Sequence, residues 1–145
     1  MTVLSRRALF AASLVVTGAS GAAAEDFAAA LNAILKDRGP DQGGIALEVP
    51  PLSENGNSVD LSVRVDSPMT TEDHVTAIHI LAEKNPFPLV ATFSLTPRTG
   101  RAEVATRIRL ATSQKIVAIA ETSQGVVHQA ARDVIVVLGA CVETG

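Results

Sequence analysis

The sequence predicts an all-β protein, an immunoglobulin-like antiparallel β-sandwich of about seven strands with a short N-terminal helix. Two observations carry this prediction. After residue 44, apolar and polar residues alternate with a period of two, as in strands that have one buried and one solvated face. Residues that form turns divide this region into short runs with no helical pattern between them, which is typical of a sandwich.

One helix is predicted, over residues 25–36. Four apolar residues recur there at helical spacing, namely Phe27, Ala30, Leu31 and Ile34. Gly39-Pro40 then ends the segment. Because so short a helix is marginal in isolation, we expect it to pack against the strands.

The alternation is clearest in three predicted strands, at residues 59–65, 89–95 and 101–110. Shorter apolar runs predict strands at 45–49, 75–81, 116–120 and 134–138, with 126–129 as a hairpin partner of the last. Turn segments separate them, including Pro50-Pro51, residues 54–57 and Gln124-Gly125. We therefore expect a helix and linker at 25–44, the sandwich at 45–138 and a C-terminal arm at 139–145.

The first 24 residues are typical of an export signal. Ser5-Arg6-Arg7 precedes an apolar run at 8–16, and Ala22-Ala23-Ala24 offers small residues for cleavage before Glu25. The run is too short to span a bilayer. Paired arginines indicate the twin-arginine route to the periplasm, and the alternative is a general secretory signal that happens to contain Arg-Arg.

Charge and aromatic content argue against a nucleic-acid partner. The chain has 145 residues with 12 basic and 15 acidic side chains, and loss of residues 1–24 removes two arginines and no acid, so the net charge changes from −3 to −5. Nucleic-acid binding needs a basic footprint and commonly uses aromatic stacking, but aromatics make up only 3%. No second segment approaches the length of a membrane span. The sequence predicts a soluble exported domain.

The histidines do not form a recognisable metal motif. His74 and His79 are five residues apart and His128 is distant, so no pair has a spacing that places two ligands on one face. Ordinary strand or surface histidines are favoured, and copper binding by Cys141 with histidines is a weaker alternative. Hydrolase and phosphate-loop motifs are also absent from the sequence, which argues against a stand-alone enzyme.

Cys141 is the single cysteine and follows the last predicted strand by three residues. We expect Gly139 and Ala140 to make the arm flexible and to place the thiol about 10 Å beyond the strand. In an oxidising compartment an unpaired thiol is buried, joined to another molecule or used in chemistry. A functional thiol, an incidental one and an intermolecular disulfide all remain open.

Three arginines lie on the polar face of one predicted strand: Arg101, Arg107 and Arg109. This is an unusual concentration of positive charge in an acidic protein. It indicates either a solvated face with nearby acids or a docking surface for a partner.

Six short motifs follow one another between residues 67 and 121: Ser67-Pro68-Met69-Thr70, His74-Val75 with Ile78-His79-Ile80, Lys84-Asn85-Pro86-Phe87-Pro88, Gly100-Arg101-Ala102-Glu103-Val104, Arg107-Ile108-Arg109-Leu110 and Val117-Ala118-Ile119-Ala120-Glu121. In this order they resemble the SoxY family, the sulfur-compound carriers of the periplasmic thiosulfate-oxidising Sox system. The resemblance covers residues 45–141, together with the signal and the N-terminal helix.

The resemblance implies a heterodimer with SoxZ, a second sandwich subunit without its own signal. It also implies that thiosulfate-derived sulfur is attached covalently to Cys141. A Sox cytochrome would attach thiosulfate, a manganese-dependent thiohydrolase would remove sulfate, and a sulfane dehydrogenase with molybdenum and haem would oxidise the remaining sulfur. The metals and haems belong to these partners, so the resemblance implies a carrier without a cofactor and not an enzyme.

The C-terminus departs from the family's usual Gly-Gly-Cys-Gly-Gly. Here Gly139-Ala140 precede the thiol and Val142-Glu143-Thr144-Gly145 follow it. The β-branched Val142 is expected to stiffen the arm, and Glu143 makes its tip acidic. We therefore expect slower turnover with standard partners. The alternative function is a non-catalytic interaction subunit whose cysteine only forms an intermolecular disulfide.

Overall fold

The computed structural model describes residues 21–141, which form two β-sheets and a helix. Most of the predicted export signal and residues 142–145 of the predicted arm lie outside the described residues. Helix α1 covers Gly21–Leu35. The strands are β1 Ile45–Glu48, β2 Leu52–Asn55, β3 Val59–Val65, β4 Val75–Ala82, β5 Leu89–Ser94, β6 Glu103–Ile108, β7 Gln114–Thr122 and β8 Val127–Leu138, with a 3₁₀-helix at Pro97–Thr99. The predicted all-β sandwich with an N-terminal helix is confirmed.

The two sheets have the strand orders β1-β3-β6 and β2-β8-β7-β4-β5. Of the described strand pairs, β2 and β8 are parallel and the others are antiparallel. Strand β3 shows how the sequence pattern becomes a sheet face, because its alternate residues Val59, Leu61, Val63 and Val65 are all buried. They join apolar residues of the other sheet in one core between the two layers.

Helix α1 covers part of the outer face of the five-stranded sheet. Ile34 of the helix packs with buried residues of three strands, Leu81, Val117, Ile119 and Val127. Partly buried Phe27, Ala30 and Leu31 complete this second apolar cluster. The helix and its predicted apolar face are confirmed, with an earlier start than the predicted residue 25. In the described part of the chain, no helix has the length and hydropathy needed to cross a membrane.

Arg38 fastens the end of α1 to the sheet. Its side chain donates hydrogen bonds to the carbonyls of Ile34 (2.7 Å) and Leu35 (2.9 Å) and forms an ion pair with Glu121. His79 Nε2 lies 3.0 Å from the other carboxylate oxygen of Glu121. Burial raises the pKa of Glu121, but the hydrogen bonds from Arg38 and His79 outweigh it and lower the pKa below the ordinary value of 4.5. The ionised carboxylate on β7 thus contacts both Arg38, which follows α1, and His79 on β4.

Strand β2 and the length of β8 differ from the sequence prediction. Residues 52–55 include part of a predicted turn, yet they form a strand because β8 offers a parallel partner, with Leu52 opposite Ile135. The prediction of 126–129 as a hairpin partner of 134–138 is wrong, since both belong to the continuous strand β8. Pairing with β7 from Val127 to Val134 carries β8 through residues 130–133, whose Ala, Arg and Asp residues have weak strand propensity.

Candidate functional site

Cys141 lies just beyond the end of β8, and its thiol is free and exposed. It lines a depression of about 650 Å³. The other lining residues come from the β4–β5 connection, β5 and the end of β6: Asn85, Pro86, Phe87, Leu89, Val90, Arg107, Ile108 and Arg109. The thiol is therefore open to an incoming molecule, in a depression that is also lined by two arginines and by Phe87, which is 65% exposed.

The backbone immediately before Cys141 is held in place. The N–H of Ala140 donates a hydrogen bond to the carbonyl of Leu110 at 2.9 Å, and Ala140 is buried. Gly139 lies against the next residue of the same loop, because a Cβ built on Gly139 would be 2.1 Å from the carbonyl oxygen of Ala111. Gly139 and Ala140 were expected to give flexibility, but here they fix the position from which Cys141 starts.

Replacing Gly139 with alanine should destabilise the protein by about 1–3 kcal/mol, because the new methyl group overlaps a backbone oxygen that must move away. Thermal or urea unfolding measures the loss. Gly39→Ala is the matched control, since a Cβ at that position meets no atom within 4 Å. Equal stability of the two variants would contradict the close approach of Gly139 to Ala111.

A buried pair of amides, Asn85 and Gln114, connects the loops around the depression. Asn85 Nδ2 donates to the carbonyl of Arg109 at 2.8 Å, and its Oδ1 accepts from the N–H of Ala111 at 3.0 Å. Gln114 Nε2 donates to the same Oδ1 at 2.9 Å, and Gln114 Oε1 accepts from the N–H of Lys84 at 2.8 Å. The pair therefore sets the position of Arg109 relative to the loop that carries Phe87.

The sequence alone did not identify Asn85 and Gln114 as functional residues. Asn85 stands before a proline in a polar connection, which is typical of an exposed turn. Asn85 is nevertheless buried, because the β4–β5 connection packs against the residues that follow β6. This contact joins segments that are distant in sequence. The resemblance of residues 84–88 to a family motif was the available signal.

The three arginines for which the sequence left a solvated face or a docking surface open occupy two places. Arg107 on β6 and Arg109 just after it line the depression with Cys141. Arg101 lies before β6 and lines another depression, with Arg64, Asp66 and Glu103. Arg107 Nε also pairs with Asp60 Oδ1 at 3.0 Å on the neighbouring strand β3. This contact fits the alternative of a solvated face with nearby acids.

The histidines are held by other partners and are not gathered around the thiol. The contacts of their ring nitrogens include His74 Nδ1 with the carbonyl of Thr70 (3.0 Å), His79 Nε2 with Glu121 (3.0 Å) and His128 Nδ1 with the carbonyl of Gly43 (2.8 Å). Between residues 26 and 141, no three His, Cys, Asp or Glu side chains come together closely enough to hold a metal ion. The copper alternative has no support in this geometry.

Exposed apolar side chains mark the edge of the five-stranded sheet formed by β2 and β8. Leu52 and Ile135 are paired neighbours and are 52% and 58% exposed. Val137, two residues further along β8, is 69% exposed. Contiguous apolar area at a sheet edge is typical of a surface that another protein covers. We call these three residues the edge patch.

The fold and this site define a β-sandwich protein that presents one exposed thiol after its last strand. A family model described as "Sulfur oxidation protein SoxY" matches residues 31–141, a span that ends on that cysteine. The solved structure of the sulfur carrier protein SoxY from Chlorobium limicola f thiosulfatophilum is 30% identical, with a TM-score of 0.62, and the match covers 78% of this chain and 97% of that one. The chain belongs to the SoxY family and is a sulfur carrier of the Sox system, not a catalytic enzyme.

More distant structures share the sandwich alone. The superoxide reductase (neelaredoxin) from Ignicoccus hospitalis is 18% identical, with a TM-score of 0.56 and coverage of 63% of this chain and 79% of that one. A putative superoxide reductase from Thermotoga maritima is 19% identical, with a TM-score of 0.56 and coverage of 66% and 87%. Identities this low show a common fold and carry no function. No curated protein matches the sequence.

Proposed function

We propose that this protein carries thiosulfate-derived sulfur covalently on Cys141 in the periplasm and presents it to partner Sox enzymes. The observation that carries the proposal is the single exposed thiol at the end of the family match. An exposed thiol after a strand is accessible to another protein's active site, whereas a buried one is inert. The proposal is tested by the sulfur adducts found on the protein from thiosulfate-grown cells.

The first two steps on the thiol balance as follows. Cys141 loses its proton, its sulfur bonds to the outer sulfur of thiosulfate, and two electrons pass to the Sox cytochrome. The product is a cysteine S-thiosulfonate. Water then attacks the terminal sulfonate sulfur at the thiohydrolase, which releases sulfate and two protons and leaves a deprotonated persulfide on Cys141. A sulfane dehydrogenase then oxidises the outer sulfur.

The held backbone before Cys141 suits this carrier role. The hydrogen bond from Ala140 to Leu110 opposes a swing of the chain at Gly139. Cys141 is the first exposed residue after this attachment. The thiol therefore has a fixed starting position at the surface, and any reach into a partner must come from Cys141 and the residues after it or from release of the Ala140 contact.

The tail sequence predicts a gain of function. Changing Val142 to glycine and deleting Glu143 and Thr144 should raise turnover with standard Sox partners by up to about tenfold. Glycine gives the backbone at position 142 more conformational freedom than valine, and the deletion removes the negative charge of Glu143. Thiosulfate-dependent cytochrome reduction by the reconstituted system measures it. Thr144→Ala alone is the matched control. Equal rates for the shortened variant and the control would mean that the departure from the family tail is neutral.

We propose that a SoxZ-like sandwich subunit covers the edge patch and forms a heterodimer with this chain. The patch supplies apolar area next to the edge strand β2. Its strand β8 leads directly to Cys141, so a subunit bound there would border the thiol. Export by the twin-arginine route would suit such a pair, because one signal carries two folded chains.

A carboxylate in the edge patch should break this pairing. Ile135→Asp is expected to weaken the complex by about 10- to 100-fold, the equivalent of about 1.5–3 kcal/mol of lost apolar burial. Titration of the purified subunits by calorimetry measures the affinity. Ser94→Asp, at an exposed position on β5 at the opposite edge of the same sheet, is the control. An unchanged affinity for Ile135→Asp would place the partner elsewhere.

The alternative function is an interaction subunit whose exposed thiol only links two chains. The edge patch and the free Cys141 together are compatible with it. In that case Cys141→Ser would remove a covalent dimer and leave sulfur oxidation unchanged. The same variant therefore separates the two functions.

A further inference from the structure

Arg107 and Arg109 extend the site beyond the thiol. They flank Ile108, which is buried in the core, so both arginines lie on the outer face of the sheet at the end of β6. The hydrogen bond between Ala140 and Leu110 brings the end of β8 beside the residue that follows Arg109. Two separate strand ends thereby bring Cys141, Arg107 and Arg109 to the lining of one depression.

The two arginines differ in how much of their charge is free. Arg107 pairs with Asp60, and the two side chains are 75% and 78% exposed, so the pair is solvated and weak. Arg109 forms no ion pair with any residue between 26 and 141. Its backbone is fixed by the hydrogen bond from Asn85. The backbone of Arg109 is thus held in place, and its guanidinium has no ion-pair partner among residues 26–141.

Two arginines line the depression in a protein whose net charge is −3. None of its lining residues in the described part of the chain is acidic. Phe87 and Leu89 add apolar side chains to its lining. A guanidinium presents paired N–H donors in a plane, which suits the oxygens of an oxyanion.

We propose that Arg109, assisted by Arg107, binds the anionic sulfonate end of the group carried on Cys141 and thereby favours anionic reactants over neutral ones. The proposal rests on the carrier function for the identity of the natural cargo. The binding chemistry itself requires only a thiol and an anionic reactant. It can therefore be measured without any Sox partner.

The first test compares an anionic and a neutral reagent of the same mechanism. Iodoacetate and iodoacetamide both alkylate the thiolate with loss of iodide. A change in thiol ionisation therefore alters both rates equally and cancels in their ratio. Intact mass of the purified full chain follows the reaction. Arg109→Gln should lower the iodoacetate-to-iodoacetamide ratio by about threefold, the effect that one charge has across about 6 Å of water, and raised salt should reduce the difference.

Three further variants sharpen the comparison. Arg101→Gln carries the same charge change in a different depression and should leave the ratio unchanged. Arg107→Gln should have a smaller effect than Arg109→Gln because Asp60 already pairs with it. Arg109→Lys should keep most of the ratio, since the charge remains. Equal ratios for Arg109→Gln and Arg101→Gln would overturn the proposal.

Tetrathionate provides a reagent with the chemistry of the cargo. The thiolate of Cys141 attacks an inner sulfur, a new S–S bond forms, the central S–S bond breaks, and thiosulfate leaves with the electron pair. The product is the S-thiosulfonate. Because tetrathionate is a dianion, Arg109→Gln should slow this reaction by about tenfold relative to iodoacetamide. A slowing no greater than that of Arg101→Gln would overturn the proposal.

These outcomes are separate from the carrier function. A charge-dependent ratio in the alkylation assay combined with no sulfur adduct in cells would contradict the carrier function and support the anion site. The reverse combination would remove the anion site and keep the carrier. Thermal unfolding of each variant, expected to match the parent because the arginines are exposed, reports on the fold.

Discussion

Cys141→Ser is expected to abolish thiosulfate-dependent electron transfer in a reconstituted Sox system. The serine hydroxyl cannot form the S–S bond that holds the cargo, and Cys141 is the single cysteine of the chain. Electron transfer is followed as reduction of the Sox cytochrome after thiosulfate is added. The effect should be complete, because the first covalent step has no substitute residue.

The fold should tolerate this change. Cys141 is exposed, and substitutions at such positions usually alter stability by less than about 0.5 kcal/mol. Unfolding midpoints and binding of a SoxZ-like subunit should match those of the parent protein. Retention of thiosulfate-dependent reduction by the serine variant would end the proposal that Cys141 carries the cargo.

Asn85→Leu should be the most destabilising substitution around the site. The change keeps a similar volume but leaves the carbonyl of Arg109 and the N–H of Ala111 without their partner, and it removes one of the bonds of Gln114. Each buried unsatisfied group costs about 1–3 kcal/mol, so we expect a loss of about 3 kcal/mol. At a few degrees per kcal/mol, the Tm should fall by roughly 10 °C.

The matched control is Asn32→Leu, on an exposed position of helix α1. It makes the same chemical change without a buried hydrogen bond and should shift stability by less than about 0.5 kcal/mol. Urea unfolding of both variants gives the comparison. Similar losses in the two variants would show that the amide of Asn85 does not support the loops as described.

The strands that could be predicted from the sequence are those whose own residues specify them. β3 alternates without interruption from Val59 to Val65, and its predicted bounds agree with the structure. β2 could not be predicted, because its four residues contain one apolar side chain and its strand conformation depends on β8. The local sequence pattern thus predicted a core strand such as β3, whereas the edge strand β2 depends on its pairing with β8.

The site was predictable in its chemistry and not in its geometry. Cys141 stood out as the single thiol, and Arg107 and Arg109 stood out as charges on one strand face. Their common depression results from contacts between the ends of β6 and β8, which are far apart in sequence. The support from Asn85 depends on the same contacts, so no local pattern could have shown it.

The central claim is that Cys141 carries sulfur, and the mass of the protein as the cell makes it tests this most directly. The chain is purified without reductant from thiosulfate-grown cells, and its intact mass is measured before and after reduction, with Cys141→Ser alongside. We predict reducible sulfur-containing adducts that map to Cys141 and are absent from the serine variant. A bare thiol, or only a disulfide-linked dimer, would contradict the carrier function and favour the interaction subunit.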